Sequence, residues 1–174
     1  VHVLRHAAGG TSGPLDVEEC RANPAIAHYI DGWTPDQVGL ICLVDDTPVG
    51  AAWVRNLPAS DPGYGFVAPG IPELVIAISP HHREQGLGGY LLESLLDTCS
   101  ANGIKSVSLS VGVGGGWLVR VCRRVGFVVV RIVVGVWLCC VLTRLEAFVV
   151  VSWLVCMVGP HTSIVMVSGR VETG

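Results

Sequence analysis

The sequence predicts one α/β domain, and three stretches carry that prediction. Residues 74–92 read as a buried apolar strand, a turn with several glycines and the start of a helix. Residues 39–54 hold two apolar runs on either side of a short polar turn, which is typical of a hairpin. Residues 104–111 alternate apolar and serine side chains, as a half-buried strand does. A chain of 174 residues is long enough to bury one such core, so we expect residues 1–174 to form a single domain.

Composition and charge exclude several classes of function. Only 14% of the residues are charged and 51% are apolar, so the chain is not disordered. A net charge of −3 indicates no nucleic-acid partner. The seven cysteines are odd in number and show no C-x-x-C spacing, which predicts reduced thiols in a cytoplasmic protein. No Cys/His cluster with ligand spacing is present, so we expect no metal.

The first elements are a strand, two helical segments and a hairpin. Val1–Leu4 is a short apolar run that predicts a strand, and Asp16–Arg21 and Asn23–Gly32 have helical spacing. The hairpin strands are expected at Gly39–Val44 and Val49–Val54, with the turn between them. The two strands of a hairpin are antiparallel neighbours.

The strand predicted at Leu74–Ile78 ends at Ser79-Pro80, because proline has no N–H group for the ladder. A helical apolar pattern begins at Leu87 and ends at the cap signal Asn102-Gly103. The turn before this helix leaves backbone N–H groups free at a helix N-terminus, where the dipole adds partial positive charge. Such a place binds phosphate or pyrophosphate.

The glycines of that turn distinguish between phosphate ligands. The dinucleotide fingerprint G-x-G-x-x-G is incomplete, because Leu91 stands at its third glycine. A nucleotide phosphate loop is excluded because the only lysine of the chain is Lys105. The spacing that fits is R-x-x-G-x-G, at Arg83, Gly86 and Gly88. The alternative is an ordinary strand–turn–helix unit with glycines for tight turning.

Together with the preceding strand, this pattern resembles the acetyl-coenzyme A signature of the GNAT superfamily of N-acetyltransferases. The resemblance covers residues 1–130 and about 161–167, and it leaves 131–160 as an atypical apolar insertion. It implies a mixed, mostly antiparallel central sheet flanked by helices. It also implies transfer of acetyl from the co-substrate acetyl-coenzyme A to a primary amine of a small molecule or peptide.

The resemblance also implies a set of site residues. Glu73, at the start of the strand, is the candidate base that removes a proton from the amine. Tyr29, Asp31 and Trp33 are candidate substrate contacts. The alternatives are a carboxylate that is only solvated or paired, and aromatic side chains that only pack a helix. The residues expected to bind acetyl-coenzyme A are Val75, Ile76, Ala77, Ile78, Arg83, Glu84, Gln85, Gly86, Leu87, Gly88 and Gly89.

Two positions depart from the family pattern. Counting back from Gly126-Phe127, Cys122 stands where the family has a tyrosine near the coenzyme sulfur, and Gly116 stands where it has an asparagine. Cys122 is the second candidate catalytic residue, since the ordinary pKa of a thiol is about 8.5. Its side chain is shorter than tyrosine, and a buried thiol facing the core is the alternative.

Residues 106–174 have an unusual composition. They contain no Asn, Gln, Lys, Tyr or Asp, and they hold only two of the 14 acidic residues, Glu146 and Glu172. These missing residue types have codons with A at the second base. We hypothesise that this C-terminal third is altered rather than selected for chemistry. Its alteration leaves two alternative functions: a catalytically weakened coenzyme A-binding protein, or a protein-interaction module.

The C-terminal third contains two apolar runs, at residues 132–142 and 147–159. Each is shorter than the about 20 residues that span a bilayer, so we expect a hairpin of buried strands and no membrane partner. If exposed, such a hairpin could form a homodimer. Thr162–Met166 resembles the last strand of the family.

Overall fold

The computed structural model describes residues 17–34, 36–112, 120, 128–133, 137–143 and 162–166. Its longest helix, α3, flanks a central sheet, and two short helices precede the sheet in the chain. The strands are β1 Gly39–Val44, β2 Thr47–Arg55, β3 Glu73–Ile78, β4 Ser106–Gly112, β5 Val128–Val133, β6 Trp137–Thr143 and β7 Thr162–Met166. The helices are α1 Val17–Ala22, α2 Pro24–Ala27 and α3 Leu87–Ala101, with a 3-10 turn at Pro80–His82.

The sheet has the strand order β5-β6-β4-β3-β2-β1-β7. Every neighbouring pair is antiparallel except β3 and β4, which run parallel on either side of α3 in the chain. A strand, a helix and a parallel strand form the crossover that a parallel pair requires. The predicted mixed, mostly antiparallel sheet with flanking helices is therefore confirmed.

The hairpin of β1 and β2 has a tighter turn than the sequence suggested. Asp45 and Asp46 have φ angles of 48° and 59°, so these two residues form the whole turn. Positive φ at both central residues is the type I′ geometry, and aspartate tolerates it better than most residues. Strand β2 therefore begins at Thr47, and Pro48 lies inside it beside a register shift that accommodates its missing N–H group.

Helix α3 has the bounds that the sequence predicted, and it covers one face of the sheet. It begins after Gly86, whose φ is +81°, and it is capped by Asn102 with Gly103 at φ +77°. Its buried side chains pack against apolar residues of β1 to β4 in the main core. They are Leu87, Leu91, Leu92, Leu95, Leu96 and Cys99.

The opposite face of the sheet carries a smaller apolar cluster. Tyr29 and Leu57 are its buried members, and Trp53 and Val75 pack against them. Side chains alternate along β3, so Leu74 points towards α3 whereas its neighbour Val75 points towards Tyr29. Because residue 73 shares a face with residue 75, the carboxyl of Glu73 also lies on the face opposite α3.

The described part of the C-terminal third contains a hairpin that the sequence does not predict. It consists of β5 and β6, and β6 also pairs with β4 in the central sheet. The apolar run 132–142 therefore covers parts of two strands. Gly135 lies between these strands in the sequence, but a lone glycine in an apolar run is a weak turn signal. The run 147–159 lies outside the described residues, as does the strand predicted at Val1–Leu4.

The strand predicted at Thr162–Met166 is present as β7, and it pairs with β1 at the edge of the sheet opposite β5. In the part of the chain that the structure describes, no helix has the length and apolar character to cross a membrane.

Candidate functional site

The loop between β3 and α3 is fixed by short-range hydrogen bonds. The hydroxyl of Ser79 lies 2.8 Å from Nδ1 of His82. Arg83 is exposed, and its Nε donates to the carbonyl of Ile78 at 3.2 Å. Arg83 is thereby tied to the end of β3 while its outer guanidinium nitrogens remain available to an anion.

Six successive backbone N–H groups, from Glu84 to Gly89, donate no hydrogen bond to any described residue. The first bond of the helix runs from the N–H of Tyr90 to the carbonyl of Gly86, at 3.1 Å. A Cβ atom added at Gly86 would meet nothing within 4 Å, so space is open beside the loop. Free N–H groups at the positive end of a 15-residue helix fit a phosphate group. We call residues 83–89 the phosphate cradle.

Strands β3 and β4 are paired at one point only, between Glu73 and Ser108. The N–H of Ser108 donates to the carbonyl of Pro72 at 2.9 Å, and no further pairing of the two strands follows among the described residues. The parallel strands therefore separate beyond Glu73, and a gap opens between them in the direction of the phosphate cradle.

Two backbone N–H groups of β3 face this gap. The N–H of Ser79 donates to Val49, which continues the ladder on the β2 side. Since N–H groups alternate in direction along a strand, those of Ile76 and Ile78 point to the β4 side. The β3–β4 pairing has already ended at these positions, so both are available to a ligand between the strands.

Glu73 lies where the gap begins, and only 3% of its surface is exposed. Its Oε1 accepts three hydrogen bonds: from the Tyr29 hydroxyl at 2.8 Å, the Gly65 N–H at 2.7 Å and the Ser110 hydroxyl at 3.3 Å. Its Oε2 is buried and has no partner among the described residues. The two oxygens of one carboxyl are therefore in very different surroundings.

Burial controls the protonation of this site. It raises the pKa of Glu73, and the hydrogen bonds from Tyr29, Gly65 and Ser110 offset part of that rise. Burial also raises the pKa of Tyr29, so its hydroxyl stays protonated and remains a donor. A carboxyl with a raised pKa gains and loses a proton closer to neutral pH than an exposed one.

A glycine-containing segment, residues 62–66, covers the carboxyl; we call it the covering segment. A Cβ atom at Gly63 would overlap Oε2 of Glu73 and the Tyr29 hydroxyl. A Cβ atom at Gly65 would lie 2.7 Å from Oε1. Only residues without a Cβ allow the backbone to approach the carboxyl this closely.

Arg55 fixes the segment that carries Tyr29. Arg55 is 7% exposed, and its guanidinium donates to four oxygens of residues 28–37. These are the carbonyls of His28 (3.1 Å), Gly32 (3.1 Å) and Asp31, and the side-chain oxygen of Gln37 (2.7 Å). The indole N–H of Trp53 adds a bond to the carbonyl of Tyr29 at 2.9 Å.

His28 lies beside the same site. Its Nδ1 is 3.0 Å from the carboxylate of Asp61, and its Nε2 is buried without a partner in the described part of the chain. The ring is near enough to Glu73 to lower the pKa of that carboxyl by its charge. Within the described ranges, no group of three or more His, Cys, Asp and Glu side chains could hold a metal ion.

The structure brings some of the predicted site residues together and separates others. The Tyr29 hydroxyl contacts Glu73, whereas Trp33 packs its ring against Gly39 at the start of β1. Cys122 lies outside the described residues. The sequence gives no signal for Gly65 or Arg55 as site residues; for Ser110, the serine face of β4 is the one available signal.

Comparison with known proteins places this fold among the acetyltransferases. The sequence matches the model of the acetyltransferase (GNAT) family over residues 15–127. Because this match covers well over half of the 174 residues, the chain belongs to the GNAT acetyltransferase family. The resemblance inferred from the sequence is thereby confirmed.

Solved acetyltransferase structures share the fold. An N-acetyltransferase from Staphylococcus aureus Mu50 superposes with a TM-score of 0.62 at 15% identity, over 83% of this chain and 89% of that one. The protein yncA from Salmonella typhimurium, solved with its cofactor acetyl-CoA, gives 0.60 at 18% identity, over 83% and 85%. A phosphinothricin acetyltransferase from Sinorhizobium meliloti in complex with AcCoA gives 0.59 at 17%, over 82% and 80%. A comparison with curated protein sequences found no match.

Proposed function

We propose that this protein is an N-acetyltransferase that moves acetyl from acetyl-coenzyme A to a primary amine by direct attack in a ternary complex. The observation that carries the proposal is Glu73, a buried carboxyl where β3 and β4 separate, with one oxygen that has no partner in the described part of the chain. A base at this point is what amine acetylation requires, because an ammonium ion must lose a proton before its nitrogen can attack.

The cradle and the gap would bind the co-substrate. Acetyl-coenzyme A supplies the activated acetyl group. The free N–H groups of Glu84–Gly89 would hold its pyrophosphate, and Arg83 would add positive charge. The N–H groups of Ile76 and Ile78 would donate to the acyl oxygen, where negative charge develops during attack.

Glu73 would take the proton of the amine on Oε2, since Oε1 already accepts three hydrogen bonds. The amine nitrogen then bonds to the acyl carbon, the carbon–sulfur bond breaks, and its electron pair leaves on the coenzyme sulfur. Cys122 is the proposed source of the proton for that sulfur. The covering segment must move from Oε2 for the amine to reach it, because Gly63 now lies against that oxygen.

The partner in this proposal is a small-molecule or peptide amine, and the protein acts in the cytoplasm. Reduced thiols support the second point, because Cys42 and Cys99 are buried and form no disulfide with each other. Cysteines in a reducing compartment are kept in this form.

Binding is tested by a pair of variants at the two ends of α3. Gly86 and Gly103 both have left-handed φ angles, and an added Cβ meets nothing within 4 Å at either position. Gly86→Asp and Gly103→Asp therefore add the same charge and similar backbone strain, but only the first places a carboxylate in the cradle. In calorimetric titration with acetyl-coenzyme A, we expect Gly86→Asp to bind at least about tenfold more weakly than the wild type. Gly103→Asp should bind with the affinity of the wild type. Equal affinities would contradict the cradle.

Transfer is tested by coenzyme A release with a panel of primary amines. We expect turnover with at least one amine, and a fall in kcat/KM of about 10²- to 10⁴-fold for Glu73→Gln, which keeps the shape but not the base. Binding of acetyl-coenzyme A with no turnover would favour the catalytically weakened alternative. Absence of binding would favour a protein-interaction module.

A further inference from the structure

The two oxygens of the Glu73 carboxyl differ in their hydrogen bonding. Three donors from three separate parts of the chain converge on Oε1: Tyr29 after α2, Gly65 in the covering segment and Ser110 on β4. Oε2 receives no donor from any described residue. A proton that arrived at Oε1 would have to displace a donor, whereas Oε2 can take it with no hydrogen bond lost.

The Tyr29 hydroxyl is itself fixed in direction. It accepts the backbone N–H of Tyr64 at 2.8 Å, which leaves its single proton directed at Glu73. The residue is 7% exposed, and its backbone carbonyl accepts the indole N–H of Trp53. The hydroxyl is thus occupied within the protein, which differs from the substrate contact that the sequence suggested.

We propose that Tyr29 is a positioning residue for acetyl transfer: it holds Oε1 of Glu73 so that Oε2 accepts the proton of the acceptor amine. This role rests on the proposed function. Tyr29 does not touch the reacting atoms; it determines which oxygen of the base is free. It also stabilises the ionised carboxylate in a buried place, because a donor to the charged form favours that form.

Other titratable and charged side chains lie around this site, and Tyr29→Phe replaces none of them. From the segment after α2, His28 acts on the carboxyl by its charge, and it is paired with Asp61. From β2, Arg55 stands opposite in the register, with its guanidinium bonded to residues 28–37. The covering segment contributes Tyr64, and β4 contributes Ser110, which does not titrate.

Tyr29→Phe removes the hydroxyl and keeps the ring. The folded carboxyl loses a donor that stabilises its charged form, so the pH at which Glu73 ionises rises. We expect the acid limb of the kcat/KM profile to move upward by about one pH unit. In protein carrying ¹³C-labelled glutamate, the titration of the Glu73 carboxyl carbon, assigned with Glu73→Gln, should move in the same direction.

Two further variants separate this role from general damage. Ser110→Ala removes a longer bond to the same oxygen, so its shift should have the same sign and be smaller. Thr98→Val removes a half-buried hydrogen bond of 2.7 Å from the Thr98 hydroxyl to the carbonyl of Ser94, in α3 on the other face of the sheet. This variant should leave the acid limb in place. A shift in Thr98→Val equal to that in Tyr29→Phe would overturn the proposal.

The measurements distinguish failure of the positioning role from failure of the proposed function. If the wild-type protein transfers acetyl but Tyr29→Phe changes neither the acid limb nor the NMR titration, the positioning role is refuted and the acetyltransferase stands. The other outcome is that the wild-type protein acetylates no amine while the NMR titration moves in Tyr29→Phe. In that case Tyr29 still holds Oε1 in place, but the proposed function is refuted. A role of Tyr29 in acetyl transfer is then refuted as well.

Discussion

Arg55 is the single residue on which the geometry around Tyr29 most depends. The five N–H donors of a guanidinium form a planar fork, and in Arg55 they reach acceptors spread over residues 28–37. A lysine has three donors on one nitrogen and cannot reach acceptors so far apart. The segment that carries Tyr29 is therefore held by the shape of the arginine side chain as well as by its charge.

Arg55→Lys should destabilise the protein by about 2–3 kcal/mol, because buried carbonyls lose charge-assisted donors that water cannot replace. The measurement is urea unfolding. Arg83→Lys is the matched control, since Arg83 is exposed and makes one described bond, to Ile78; there we expect about 0.5 kcal/mol or less. Similar losses in the two variants would show that Arg55 does not fix this segment.

The sequence could not reveal the partners of Glu73. Its place at the start of a strand was visible, and so was the possible importance of Tyr29. The hydrogen bond between them joins residues 44 positions apart, and no spacing rule links such positions. The role of Arg55 could not be predicted either, because an arginine at the end of a strand usually lies in solvent.

Among the secondary-structure elements, those with chemical end signals were predicted most closely. Helix α3 begins at Leu87 and is capped by Asn102, because glycines at both ends adopt left-handed φ angles that other residues avoid. Strand β3 has an apolar run ended by Pro80, and the strand ends at Ile78. The loop between these two elements was predictable because glycine spacing reveals where backbone N–H groups are left free at a helix N-terminus.

Elements without such signals were misplaced. The connection between β5 and β6 falls inside an apolar run, where a single glycine, Gly135, is only a weak turn signal. The β1–β2 turn lies where the sequence predicts it but is shorter, because Thr47 and Pro48 belong to β2. In the folded chain, the register shift beside Pro48 allows a residue without an N–H group to lie inside a strand.

At the scale of the whole molecule, the two faces of the sheet have different roles. One face packs on α3 in the main core, and the other holds Glu73 in the smaller cluster. The separation of β3 and β4 gives up backbone pairing within the sheet, and the buried carboxyl is unfavourable when ionised. Both features reduce stability and serve the proposed reaction, which is the balance expected at functional sites.

This balance predicts how the stability of the molecule depends on pH. Burial raises the folded-state pKa of Glu73 above its ordinary value of 4.5, so between these two values the native state binds more protons than the unfolded state. Stability should therefore fall as pH rises from about 4.5 through the raised pKa of Glu73. Glu73→Gln cannot ionise, and its unfolding free energy, from urea titrations across this range, should decline less.

The control for this effect is a second carboxyl whose pKa is shifted in the same direction. Burial also raises the pKa of Asp97, on α3, which is an exposed residue and should contribute less. Asp97→Asn should therefore give a stability curve closer to that of the wild type than Glu73→Gln does. If the Glu73→Gln curve runs parallel to the wild type, Glu73 ionises at the same pH in the folded and unfolded states, and burial does not raise its pKa. If the two curves instead keep diverging up to the highest pH at which the protein is folded, Glu73 never ionises inside the fold. A base that never ionises there cannot accept the proton of an amine, so this second result would remove the basis of the proposed mechanism.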